Sequence, residues 1–223
     1  MSIFQILYLY FLTLSLAICL YAYPSFERNK SLKVFAVLLS FSVITELIVN
    51  AMRYVFGYGI SDYMFIYHLY IPLEYALLAY FFYLNNDNQT VKKFILLSIP
   101  LFMVLSILLS LNIISPKEHP GLNLNLEGLL LITWCLIKLF SIRPSATTPN
   151  YRLPIFWICI GILIYHTGTY YYNHIYDNLL NINSELAQSL HRLTHKSLNY
   201  VLYICFSIAF LCSNQMKKYL LPS

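Results

Sequence analysis

The sequence predicts an all-α protein, a bundle of seven transmembrane helices, and three observations predict it. Only 10% of the 223 residues are charged, against 59% hydrophobic, where a soluble domain carries roughly a quarter charged residues. Apolar runs of about 20 residues recur along the chain, each long enough to cross a hydrocarbon core of about 30 Å. The breaks between them carry loop chemistry: "YPSFERNKS", "GYGISD", "NNDNQT", "SPKEHPGLN" and "RPSATTPNYRLP". A mean hydropathy of +0.64 agrees. Six glycines and the lack of short alternating segments argue against a β-barrel. Residues 1–223 read as one transmembrane domain without a repeat or a low-complexity tract.

The elements follow in order. The first helix covers 3–23. Its opening, "MSIFQILYLY", has no basic segment and no small-residue cleavage site after it, so it reads as a retained helix. The second covers 33–56 and carries Glu46, Asn50, Arg53 and Tyr54 at i, i+4, i+7 and i+8, which is one helical face. The third, 63–84, carries Tyr63, Tyr67, Tyr70 and Glu74 on one face, with His68 beside it and a kink expected at Pro72. The fourth, 94–114, is apolar. The fifth, 122–142, begins with Asn123 and Glu127. The sixth, 154–175, ends in Tyr165, His166, Thr169, Tyr170, Asn173 and His174. Residues 176–188 form the longest polar connection, read as a loop with a short interfacial helix. The seventh, 190–215, begins with His191, His195, Asn199 and Tyr203, drifting about 40° per step at the helical 100° per residue.

Basic residues orient the bundle. Arg28, Lys30, Lys33, Lys92, Lys93, Lys138, Arg143, Arg152, Lys217 and Lys218 fall on one face, and Arg53, Lys117, Arg192 and Lys196 on the other. The positive-inside rule then puts the C-terminus in the cytoplasm and the N-terminus outside. In that frame the intramembrane polar groups gather in a funnel that opens outward. Glu46 and Glu74 lie about 15 Å below the outer ends of their helices, near the bilayer midplane. A carboxylate there costs at least about 2.5–3.5 kcal/mol unless it faces the interior or finds a partner. Arg53, His68 and His166 are the partners expected. The pocket candidates are Glu46, Asn50, Arg53, Tyr67, His68, Glu74, Glu127, Tyr165, His166, His195, Asn199 and Tyr203. Among them Glu127, close to its helix end, also reads as simply hydrated, and Asn199 and Tyr203 as interhelical hydrogen-bond partners. Tyr170, Tyr171 and Tyr172 suit an interfacial aromatic belt.

Other chemistry is sparse. A net charge of +5 without a basic stripe gives no nucleic-acid surface. The five cysteines lie in predicted spans and read as small buried apolar residues. No nucleophile elbow, P-loop or dinucleotide fingerprint occurs. His191 and His195 have the i, i+4 spacing of paired zinc ligands; with His166 they compose an alternative three-histidine zinc site, able to activate a water against an ester or amide. The leading expectation carries no metal and no other cofactor.

The segments "IYHLYIPLEYALLAYFFY", "LPIFWICIGILIYHTG" and "LHRLTHKSLNYVLYICFSIAFLC" resemble a family of short seven-helix bacterial inner-membrane proteins. The likeness spans nearly the whole chain and rests on Glu46, Tyr67, Glu74, Glu127, Trp157, Tyr165, Gly168, His195, Asn199 and Tyr203. Such proteins are similar in plan to the sensory input modules of bacterial signalling, which implies a kinase or another membrane protein as partner. A weaker likeness, through His191 and His195 on the last helix, is to the hydrolase superfamily of alkaline ceramidases and adiponectin-type receptors. The chain lacks that superfamily's Ser and Asp companions on the second and third helices. The expectation is therefore a non-enzymatic receptor or sensor subunit of the bacterial inner membrane, binding a small molecule, lipid headgroup or ion. A zinc-dependent lipid hydrolase is the first alternative and a small transporter the second.

Overall fold

The computed structural model describes residues 3–27, 29–112, 115–142 and 149–220, side chains at 174, 176–178, 180, 181, 184, 188, 191, 192 and 214–220 excepted. The described residues form helices joined by short turns, without a strand: α1 Ile3–Phe26, α2 Lys30–Tyr54, α3 Ile60–Asn85, α4 Gln89–Asn112, α5 Gly121–Ser141, α6 Pro154–Ile182 and α7 Ser184–Leu220, with one 3-10 turn at Asn150–Arg152. Six of these are long and apolar enough to cross a membrane: α1 to α5 entire, and Leu193–Ser213 within α7. The protein is thus a helical, multi-pass membrane protein. α6 is not among the six; its second half is crowded with tyrosine, histidine and asparagine.

Local chemistry sets the helix ends. Asn29 caps α2, its side-chain oxygen accepting from the Ser31 and Leu32 amides at 3.0 and 3.3 Å. Asn88 does the same for α4 through Thr90 and Val91. Between α2 and α3, Gly57 takes a left-handed φ of 71°, and the Tyr58 amide reaches back to the Met52 carbonyl at 3.0 Å. Asp62 then closes the first turn of α3 by accepting from the Gly59 amide at 2.9 Å. α3 continues through Pro72.

The expected loop over 176–188 is instead mostly helix. α6 continues to Ile182 and α7 starts at Ser184, so Asn183 alone joins them. Its extended backbone ends α6, and its side-chain oxygen accepts from the Leu186 amide at 3.0 Å to start α7. One asparagine serves as the cap of both helices, which is why a polar stretch needs no loop.

The chain divides into two compact units. One comprises α2, α3, α4 and α5 as far as Trp134. Here α2 and α3 run antiparallel, through Ser31 with Asn85, Phe35 with Phe81, Ser42 with Tyr70 and Glu46 with Tyr67. The opposite side of α3 meets α4: Tyr75 lies 4.5 Å, ring to ring, from Phe102 and bonds Ser98 at 2.6 Å. Trp134 of α5 donates to the same Tyr75 hydroxyl at 3.2 Å. The aromatic core of this unit is Phe35, Tyr75, Phe81, Phe82 and Phe102, all buried.

The other unit holds α1, the end of α5, α6 and α7. α1 and α7 run parallel, joined by Tyr8 with Tyr203, Phe11 with Tyr200 and Phe26 with Phe210 at ring distances of 5.9, 5.3 and 5.5 Å. α6 and α7 form an antiparallel hairpin of very close approach. A methyl at Gly161 would stand 2.9 Å from Cys205 Cβ, and one at Gly168 would stand 2.7 Å from Leu198 Cδ1. In lipid, where helices gain nothing from hydrophobic exclusion of one another, such close contact is what dispersion requires. Four of the cysteines, Cys19, Cys135, Cys159 and Cys205, are buried as small apolar side chains, as expected.

Candidate functional site

The candidate residues divide between the two units. Glu46, Asn50, Arg53, Tyr67, His68, Glu74 and Glu127 belong to the α2–α5 unit; Tyr165, His166, His195, Asn199 and Tyr203 belong to the other.

In the α2–α5 unit the polar residues form two tiers. Across α2 and α3, the Tyr67 hydroxyl donates to Glu46 Oε1 at 3.1 Å, and the Asn50 amide reaches the Glu46 backbone carbonyl at 2.7 Å and its Oε2 at 3.4 Å. One turn further, the Ser42 and Tyr70 hydroxyls meet at 2.7 Å, and Tyr70 also bonds the carboxyl of Glu74. Both glutamates are half-buried. Arg53 differs from expectation: it is exposed, stacked over its neighbour Tyr54 at 5.2 Å.

The second tier joins α3, α4 and α5 and is deeper. His68 was expected beside Glu46 and Glu74; its two ring nitrogens instead bond Ser110 Oγ at 2.7 Å and the Glu118 carbonyl at 3.0 Å. A carbonyl only accepts, so Nε2 carries the proton and Nδ1 accepts from the Ser110 hydroxyl. Ser110 in turn accepts from Asn123 Nδ2 at 3.0 Å. The chain of donors thus runs from Asn123 through Ser110 to His68 and ends on the Glu118 carbonyl. This fixes the Asn123 amide, its nitrogen on Ser110 and its oxygen turned elsewhere.

Glu127 lies one turn beyond Asn123 on the same face of α5, in the buried stripe Asn123, Glu127, Leu131 and Trp134. It is completely buried, not hydrated as its distance from the helix end suggested, and neither carboxyl oxygen has a hydrogen-bond partner among the described residues. Serines 106 and 110 on α4, both buried, were missed from the sequence. Their signal was present: they sit i, i+4 on α4, as Asn123 and Glu127 do on α5.

In the other unit the candidate residues bond within α6 and α7 and pack on α1. The Asn199 amide turns back to the His195 carbonyl of its own helix at 2.8 Å. Tyr203 is buried against Tyr8, and Thr169 bonds the Tyr165 carbonyl at 2.9 Å. His166 is buried edge-on to the half-buried Tyr165, and the ring of half-buried His195 lies 6.4 Å from Tyr172. Tyr172 departs from the aromatic-belt expectation: it is buried and donates to the Ala187 carbonyl at 2.8 Å, tying α6 to α7, while Tyr170 and Tyr171 are exposed. The third member of the alternative zinc set, His191, lies outside the described side chains; among the described residues no three metal-ligating side chains converge.

Fold and site together define a helical multi-pass membrane protein with a carboxyl-bearing polar interior in its α2–α5 unit. No family model matches the chain, and neither a curated protein nor a solved structure does.

Proposed function

We propose that the chain is a seven-crossing receptor or sensor subunit of the bacterial inner membrane, with its N-terminus outside and its C-terminus in the cytoplasm. It binds a small molecule, lipid headgroup or ion in the polar interior of the α2–α5 unit and passes occupancy to a partner protein, a kinase or another membrane component. The observation that carries this reading is Glu127. Natural membrane proteins keep ionisable side chains inside their spans where those side chains do work, and a completely buried carboxyl that finds no donor among the described residues adds nothing to helix association there. The resemblance to sensory input modules supports the partner, and the bias of basic residues supports the orientation.

Two measurements test it. Reporter fusions after Ser223 and within 115–121 should read cytoplasmic and external respectively; a reversed result removes the outward-facing ligand. Crosslinking in native membranes, followed by purification, should capture a defined partner whose association changes in Glu127→Ala. Association indifferent to Glu127 defeats the receptor reading, and substrate flux in proteoliposomes would replace it with transport.

A further inference from the structure

Four buried side-chain oxygens without a hydrogen-bond partner among the described residues fall on two neighbouring stretches of helix: Ser106 Oγ on α4, and Asn123 Oδ1 with Glu127 Oε1 and Oε2 on α5. All three residues are 0% exposed. Asn123 Nδ2 lies 3.5 Å from the Ser106 carbonyl, which places Ser106 beside Asn123, and Glu127 follows one helical turn on. Buried polar atoms in native proteins are satisfied in the great majority of cases, and a local group of exceptions marks a missing water or ion.

The orientation of these atoms decides between the two. The Asn123 amide nitrogen is committed to Ser110 because the Ser110 hydroxyl is committed to His68. Asn123 therefore presents an acceptor, Glu127 presents two, and Ser106 supplies a hydroxyl oxygen. A single water brings two donors, too few for the three acceptor oxygens of Asn123 and Glu127, and no charge to set against a carboxylate. A small hard cation satisfies carboxylate, amide and hydroxyl oxygens together and needs no donor. One carboxylate with neutral oxygens balances one positive charge.

We infer that Ser106, Asn123 and Glu127 form an intramembrane site for a small monovalent cation of the sodium type. The inference rests on the reading of this interior as the ligand site and names its ligand chemistry. Glu127 supplies the charge, Asn123 and Ser106 complete the oxygen shell, and the His68–Ser110 chain holds the Asn123 oxygen inward. Trp134 lies two turns beyond Glu127 on the same buried face of α5, its indole donating to the Tyr75 hydroxyl at 3.2 Å.

That arrangement supplies a reporter. The chain has two tryptophans, so Trp157→Phe leaves Trp134 as the single indole. In lipid nanodiscs, Trp134 emission and the thermal midpoint are followed as sodium chloride replaces choline chloride at constant ionic strength. Sodium should shift the emission saturably and raise the midpoint by about 3–5 °C. Glu127→Gln should abolish both responses. Ser106→Ala, a milder change that keeps the helix intact, should raise the half-saturating sodium concentration about tenfold. Identical curves in sodium and choline overturn the inference, leaving water as the occupant. So does a sodium response untouched by both variants, and so does a response to calcium or magnesium but not sodium. Sodium binding without a coupled partner sinks the receptor reading and leaves the site standing; partner coupling without a sodium response does the reverse.

Discussion

In the α1–α6–α7 unit, α6 and α7 approach until Gly161 has no room for a methyl group against Cys205. In the α2–α5 unit, helices meet through a column of side chains that bond across them: Tyr67 to Glu46, Tyr70 to Ser42, His68 to Ser110, Asn123 to Ser110 and Trp134 to Tyr75. Both arrangements answer the same physical difficulty, that lipid gives helices no hydrophobic reason to associate. The first uses dispersion at short range between small residues. The second uses hydrogen bonds and ends in Glu127, whose carboxyl has no partner among the described residues. Buried oxygens without a described partner occur in both units, Ser15 Oγ in the first among them, but among the described residues the second gathers four of them on α4 and α5, a carboxyl included.

The contrast can be broken most forcefully at Gly161. Gly161→Ala puts its methyl against Cys205 Cβ and the Leu202 carbonyl, neither of which yields easily, and should cost about 3 kcal/mol in reversible unfolding from mixed micelles. Gly168→Ala meets only the mobile end of Leu198 and should cost clearly less. Equal costs would mean that close approach does not hold this hairpin.

Next in size is His68→Ala, which strands the Ser110 hydroxyl and the Glu118 carbonyl and should destabilise by about 2 kcal/mol in the same assay. A neutral result would mean that the second tier is not a connected network.

Glu127→Leu should act with the opposite sign. Without sodium, replacing a lone buried carboxyl by an apolar group of similar length should stabilise the protein by about 1 kcal/mol while removing its cation response. Loss of stability under those conditions would show that Glu127 has a structural partner.

Smallest is Asn199→Ala. The amide bonds only its own helix backbone in the described contacts, and alanine is the better helix former, so the change should stay within about 0.5 kcal/mol. A large loss would move Asn199 from its own helix to an interhelical contact.

Much of this was legible in the sequence, and the failures have physical causes. Long apolar runs announced α1 to α5, because a membrane span is a composition as much as a structure. Residues 176–188 misled because polar residues usually mean a loop, whereas Asn183 caps two helices at once and lets both extend. Glu46 and Tyr67 were both placed among the pocket candidates by helical face, but their pairing was not, because the partners expected for the glutamates were Arg53, His68 and His166. Glu127 was underestimated because burial was inferred from distance to the helix end, and that distance says nothing about which neighbours cover the side chain. Ser106 and Ser110 escaped notice because a serine in an apolar helix usually satisfies itself on its own backbone.

The single-residue joint at Asn183 has a mechanical consequence. α7 has 37 residues, about 55 Å at helical rise, well beyond a hydrocarbon core of about 30 Å. A helix of that length cannot lie wholly within the core, and it leaves α6 with no slack at the joint, braced where Tyr172 grips the Ala187 carbonyl. A rod of this kind cannot bend at its tip without turning at its base. A torque applied at the α6–α7 joint is passed along both helices to the close contacts at Gly161 and Gly168.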